Sequence, residues 1–146
     1  MITQDEKLHK EIDLIQNCIG RMANNSFLIK GWLLSIIALV VALLAEDIKI
    51  DLIALALIFP IICFWFLDAF FLQTEKKYRH LYQWVLKNRL KSDKQKDKFL
   101  YDLNPTRFDD KVDSIFRVMF SITLRVFYGI PFMGVIVLFI VEHWLK

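Results

Sequence analysis

Two ionisable side chains interrupt the apolar stretches of this 146-residue chain: Lys30, inside the run 27–45, and Asp68, inside the run 52–72. Holding a charge in hydrocarbon costs at least about 2.5–3.5 kcal/mol, so each of them needs a partner. Both stand nineteen positions from Lys49, in the short charged link between the runs. If the runs fold back on each other as antiparallel helices, Lys30 and Asp68 lie at equal depth and can neutralise one another. Two chemistries follow. The pair can lock the register of the two helices, shared with a polar cluster drawn from Arg21, Asn24, Asn25 and Ser26, since buried ion pairs serve as registry devices. Alternatively, the two groups line an aqueous path or a binding cavity between subunits.

The other reactive residue types form weaker patterns. Glu75 and Arg79 follow the second run and extend the polar cluster; with Asp68 and His80 they are the material available to an enzyme acting on lipid, the least economical reading. His80, beside Arg79 on the polar face of a helix, reads as solvated rather than catalytic. His9 and His143 lie near the ends with no partner in sequence. The chain has no His pair at metal-ligand spacing, no Gly-rich phosphate loop, and no Ser or Cys nucleophile in a recognisable context. Cys18 and Cys63 make no disulfide framework and are expected to be free thiols. The expectation is a protein that is not an enzyme, with no catalytic residues, metal or cofactor.

The elements that must position Lys30 and Asp68 follow from hydropathy. Hydrophobic residues make up 56% of the chain, with thirteen Phe and four Trp against four Gly, more apolar surface than a soluble domain of this size can bury. The run 27–45 covers roughly 28 Å as a helix, close to the hydrocarbon thickness of a bilayer. The run 52–72 is of similar length and contains Pro60, which should kink it, as a membrane helix can tolerate. A third apolar run places a span at 124–144, entered through an amphipathic turn in which Arg117 and Arg125 should reach no deeper than the headgroups. Before the first span, Leu8, Ile12, Ile15, Ile19 and Met22 alternate steps of four and three, the pattern of a helix packed on another helix. After the second, Tyr78, Leu81, Tyr82, Val85 and Leu86 recur at helical spacing. Asn104-Pro105 reads as a break, and Asp109-Asp110 as the start of the next helix.

The fold expected is therefore an all-α membrane protein with three transmembrane helices, a helical hairpin plus a C-terminal span, and amphipathic cytoplasmic helices. Its segments are an N-terminal amphipathic helix (1–26), the hairpin (27–72), a basic helical segment (73–123) and the third span (124–146). The N-terminus lacks the short basic start and cleavage site of a signal peptide, so no processing is expected.

Charge sets the orientation. The net charge of +3 is concentrated after the second span, whereas the hairpin link carries one Lys against three acids. Lys and Arg are retained on the cytoplasmic side, so the N-terminus and residues 73–123 should lie inside a bacterial inner membrane and the C-terminus outside. Lys76, Lys77, Lys87, Arg89 and Lys91 are then expected to contact anionic lipid headgroups. The basic run 89–98 is explained better by this orientation than by nucleic acid, which is not expected as a partner.

Two stretches carry a resemblance. The start Arg21-Met22-Ala23-Asn24-Asn25-Ser26-Phe27 with Lys30-Gly31-Trp32, and the continuation Phe64-Trp65-Phe66-Leu67-Asp68-Ala69-Phe70-Phe71-Leu72 with Glu75, Arg79, Leu81 and Tyr82, fit the pattern RMAxNSFxxKGW / FWxLDAxFLxxExxxRxLY. This pairing resembles a group of small uncharacterised bacterial multi-span membrane proteins. In outline such proteins are similar to the membrane effectors of antiphage systems, which depolarise or breach the inner membrane when a partner senses infection. Because the chain is too small to enclose a conduit alone and carries polar residues inside the hairpin beside a compact cytoplasmic collar, the leading expectation is a homo-oligomer that forms a pore or disrupts the membrane, with a cytosolic sensor protein or a signalling nucleotide as its partner. The rival is a non-conducting anchor that docks a cytosolic partner.

Overall fold

The computed structural model describes residues 3–43, 50–89 and 99–144. The tip of the link between the first two apolar runs and the basic run 90–98, with Lys91, lie outside them. Among the described residues every regular element is helical: α1 (Gln4–Leu43), α2 (Ile50–Arg89), a 3₁₀ segment (Pro105–Lys111), α3 (Ile115–Met119) and α4 (Ile122–Trp144). Three of these helices, α1, α2 and α4, are long and apolar enough to cross a membrane.

α1 and α2 each run for 40 residues without interruption, about 60 Å at 1.5 Å per residue and twice the thickness of a hydrocarbon core. The amphipathic pattern and the apolar run thus belong to one helix in each case. α2 continues through Pro60, whose missing N–H does not end it. The two helices pack antiparallel, with Ser26 beside Asp68 and Glu11 beside Arg89. α2 is the centre of the molecule and packs against α1, the 3₁₀ segment, α3 and α4.

Two apolar cores divide along these helices. The first joins the apolar halves of α1 and α2 to α3 and α4 through Leu33, Leu57, Ile61, Trp65, Val118, Leu124 and Tyr128. Around it the outward side chains are large and apolar: Phe27, Leu55, Phe59, Ile122 and Ile130 are each at least two-thirds exposed. Water would not tolerate so continuous a surface, and lipid would. The second core joins the polar halves: Ile15, flanked by Leu8, Ile12 and Ile19, meets Tyr78, Leu81, Tyr82 and Val85, with Phe108 closing one side. The alternating apolar spacing of α1 is thereby absorbed within the chain.

Between α2 and α4 the path differs from the sequence expectation. Asn104-Pro105 opens a helical turn rather than a break: the Asn104 side chain accepts the Thr106 N–H at 3.1 Å, and Pro105 occupies a first-turn position where its missing N–H costs nothing. Asp109 and Asp110 lie inside this segment and cap no helix; α3 follows Ser114, which makes no side-chain cap bond. Asp109 is instead held by Lys77 at 2.7 Å. Phe99 and Tyr101 adopt positive φ (64° and 59°), a left-handed conformation costing roughly 1–2 kcal/mol for a residue with a Cβ. The Tyr101 N–H donates to Glu11 Oε1, and Arg107 lies 4.0 Å from the Phe99 ring centre, so contacts across the second core offset the strain.

Candidate functional site

Lys30 and Asp68 meet. Lys30 Nζ lies 2.5 Å from Asp68 Oδ2, with the Asp68 side chain fully buried and that of Lys30 about a quarter exposed. One turn before Lys30 on the same face, Ser26 completes a triangle: its hydroxyl donates to Asp68 Oδ1 and accepts from Lys30 Nζ at 2.8 Å. A fourth group comes from α4, where the Tyr128 hydroxyl donates to Asp68 Oδ2 at 2.9 Å. The carboxylate on α2 thus receives donors from both flanking helices, and its two oxygens are occupied within one chain. Breaking up such a buried polar network is costly because any group left over has no water to turn to.

Aromatic packing fixes the Tyr128 arm. The Trp65 ring, one turn before Asp68, stacks on Tyr128 at 6.0 Å between centres and meets Phe120 edge-on at 5.6 Å. Trp65 Nε1–H donates to the Met119 carbonyl at 2.7 Å. Met119 ends α3, so Trp65 holds the junction between α3 and α4 against α2 and thereby positions Tyr128. Lys30 Nζ is 5.9 Å from the centre of the Phe127 ring, which covers part of its approach from outside.

The rest of the expected polar cluster divides. Of Arg21, Asn24, Asn25 and Ser26, only Ser26 bonds to the pair. Arg21 Nη2 donates to Cys18 Sγ at 3.3 Å, Asn24 is exposed, and Asn25 borders an apolar recess with Leu28, Ile29, Trp32, Leu67 and Phe71. Next to Cys18, burial pushes the Tyr78 phenol above its usual range, and Cys18 adds to the shift. Both cysteines are free, Cys18 buried and Cys63 exposed on the apolar surface. Glu75 and Arg79 form their own pair along α2 at 2.7 Å.

The basic residues also separate. Arg89, read from sequence as a headgroup contact, is instead buried in a forked ion pair with Glu11: Nε to Oε2 and Nη2 to Oε1, both 2.9 Å, with side chains 5% and 2% exposed. The physical reason is that Glu11 and Arg89 face each other across the second core, where a partner is worth more than water contact for either alone. Lys77 pairs with Asp109, and Lys87 is exposed. Lys76, Arg79, His80 and Gln83 of α2 line an open cleft of about 350 Å³ closed on its other side by Lys111, Val112 and Asp113. Among the described residues, no three His, Cys, Asp or Glu side chains converge where a metal could bind.

Sequence reasoning missed Tyr128 and Glu11, and with Glu11 the true partner of Arg89. Tyr128 was visible as a hydroxyl in an otherwise apolar run, which demands a polar partner when buried, and Asp68 is the acid that run can reach. Glu11 and Arg89 lie 78 positions apart among many other charges, and nothing local distinguishes them. No protein-family model, curated protein or solved structure matches this chain.

Proposed function

We propose that this chain is a non-enzymatic, homo-oligomeric inner-membrane effector whose cytoplasmic helices receive a signal and whose spans respond by permeabilising the membrane. The observation that carries the reading is the unbroken course of α1 and α2, which joins a buried ion pair in the polar halves (Glu11–Arg89) to a second in the apolar halves (Lys30–Asp68). Anything that shifts the first pair acts on rods that also hold the second.

In this reading α1 and α2 form a transmembrane hairpin and α4 a third span. The polar halves of α1 and α2, which pack together with residues 99–113, lie on one side of the bilayer. The lysines and arginines between the second and third spans support the cytoplasm as that side. Three helices enclose no conduit, so permeability requires several copies of the chain. The likeness in outline to antiphage effectors suggests a defence role, with a cytosolic sensor protein or a signalling nucleotide as the trigger.

Ion flux across liposomes containing the purified protein tests this. Flux that rises when the Glu11–Arg89 pair is broken supports a coupled effector, and silence under every condition refutes it. A second reading, a non-conducting anchor for a cytosolic partner, is favoured by the full burial of Asp68 and the engagement of both its oxygens within one chain, which turns that carboxylate away from any path. Asp68→Asn and Lys30→Met test the role of the pair within the effector reading: loss of flux with normal insertion and assembly supports a working pair, and failure to accumulate in the membrane supports a purely architectural one.

A further inference from the structure

The cleft between α2 and residues 111–113 is unused by either ion-pair network, and its lining is specific. Four groups from α2 (Lys76, Arg79, His80 and Gln83) recur one or two turns apart on one face, and Lys111 approaches from the end of the 3₁₀ segment. Two of the charges are already committed: Arg79 to Glu75, and the single acid Asp113 to Arg117 at 2.8 Å. Lys76 and Lys111 make no ion pair with a described residue, and Lys111 Nζ rests 5.5 Å from the Phe108 ring centre. Among the described residues the cleft therefore presents two ammonium groups outside any ion pair, with His80, Gln83 and the outer face of Arg79 as additional hydrogen-bond donors.

Its level along the molecule is equally defined. Lys76 lies four residues beyond the apolar run of α2, about 6 Å along the axis. The Asp113 carbonyl accepts from Gln73 Nε2 at 2.9 Å, tying the opposite wall to the same level. Just past Asp113 the surface becomes apolar again, with Phe116, Phe120 and Ile122 each more than half exposed. A cationic cleft at this boundary sits where phospholipid phosphates lie.

We propose that this cleft binds a phosphate monoester dianion, carried by a lipid headgroup or by a soluble phosphate compound. Two lysines with no ion pair among the described residues match two negative charges, and the neutral and partnered donors satisfy the remaining oxygens. A phosphodiester headgroup, with one charge and two substituted oxygens, matches less well. The inference rests on the membrane reading for the cleft's position at the headgroup layer, but binding itself depends only on the lining.

Nanodiscs expose both leaflets, so retention of lipid there does not depend on orientation. Full-length protein in discs containing phosphatidic acid or phosphatidylglycerol is compared with Lys76→Gln/Lys111→Gln, with His80→Gln, and with Lys87→Gln as an exposed-lysine control. Native mass spectrometry should show the unaltered protein retaining phosphatidic acid roughly thirtyfold better than the double variant, with the control unchanged. In a second arm, inorganic phosphate is added to discs of zwitterionic lipid. A rise in thermal stability that the double variant lacks assigns the site to a soluble source as well. Equal retention of phosphatidylglycerol, an equal loss in the Lys87→Gln control, or no difference between the unaltered protein and both cleft variants in either arm would overturn the proposal. An inverted topology would show only as charged-reagent labelling of the cleft from the wrong side, with binding intact.

Discussion

Removing the Asp68 carboxylate should be far more damaging than removing the whole polar network. Asp68→Ala strands the Lys30 ammonium beside an apolar cavity and leaves the Ser26 and Tyr128 hydroxyls without their acceptor. Breaking one side of a buried pair costs about 3–5 kcal/mol, and that is the loss expected. Lys30→Met with Asp68→Leu removes both charges and restores bulk, yet the fully buried Tyr128 hydroxyl is still orphaned, a penalty of about 1–3 kcal/mol. Adding Tyr128→Phe removes that hydroxyl too, while Ser26 can bond back to a carbonyl of its own helix. The triple variant should therefore come within about 1 kcal/mol of the unaltered protein, since apolar replacement of a buried pair is often neutral or better. Equilibrium unfolding in bicelles, followed by a probe on each helix, measures the series. If the double variant is as unstable as Asp68→Ala, the stranded charge is not what sets the loss, and the reasoning from an unpaired buried ion fails.

Glu11→Gln or Arg89→Met should destabilise the second core by about 3–5 kcal/mol through the unpaired buried partner, read as faster proteolysis near residues 99–104 with the spans intact. Trp65→Phe keeps much of the stacking on Tyr128 but frees the Met119 carbonyl, with an expected loss of about 1 kcal/mol and earlier release of α4 than of α1. A charged maleimide should label neither Cys18 nor Cys63 in intact membranes, because the first is packed and the second faces lipid; rapid labelling of Cys63 would contradict the membrane reading. Reporters on the two termini should signal from opposite compartments, the N-terminal one from the cytoplasm.

The three long apolar helices were legible because a bilayer imposes its thickness on sequence directly: roughly twenty apolar residues need no tertiary context to be recognised. The equal spacing of Lys30 and Asp68 about Lys49 was legible for a related reason, since two helices that fold back on a short link have their register fixed by counting. The Glu11–Arg89 pair was not, because both residues sit in segments full of charges and only packing of the polar halves decides which two lose their water. The 3₁₀ turn at Pro105 was hidden by the double meaning of Asn-Pro, which can end one helix or open another. Asp109 was misjudged as a cap because its partner, Lys77, lies on a helix more than thirty positions earlier.

The length of α1 and α2 has a geometric consequence. Pivoted where the apolar run of α2 meets its polar half, a stiff rod about 60 Å long turns a tilt of a few degrees at one tip into a sideways excursion of one or two ångströms at the other. That excursion is felt at the tips of the rods; Asp68, only about 6 Å from the pivot, moves by a few tenths of an ångström and serves as the fulcrum about which the lever turns.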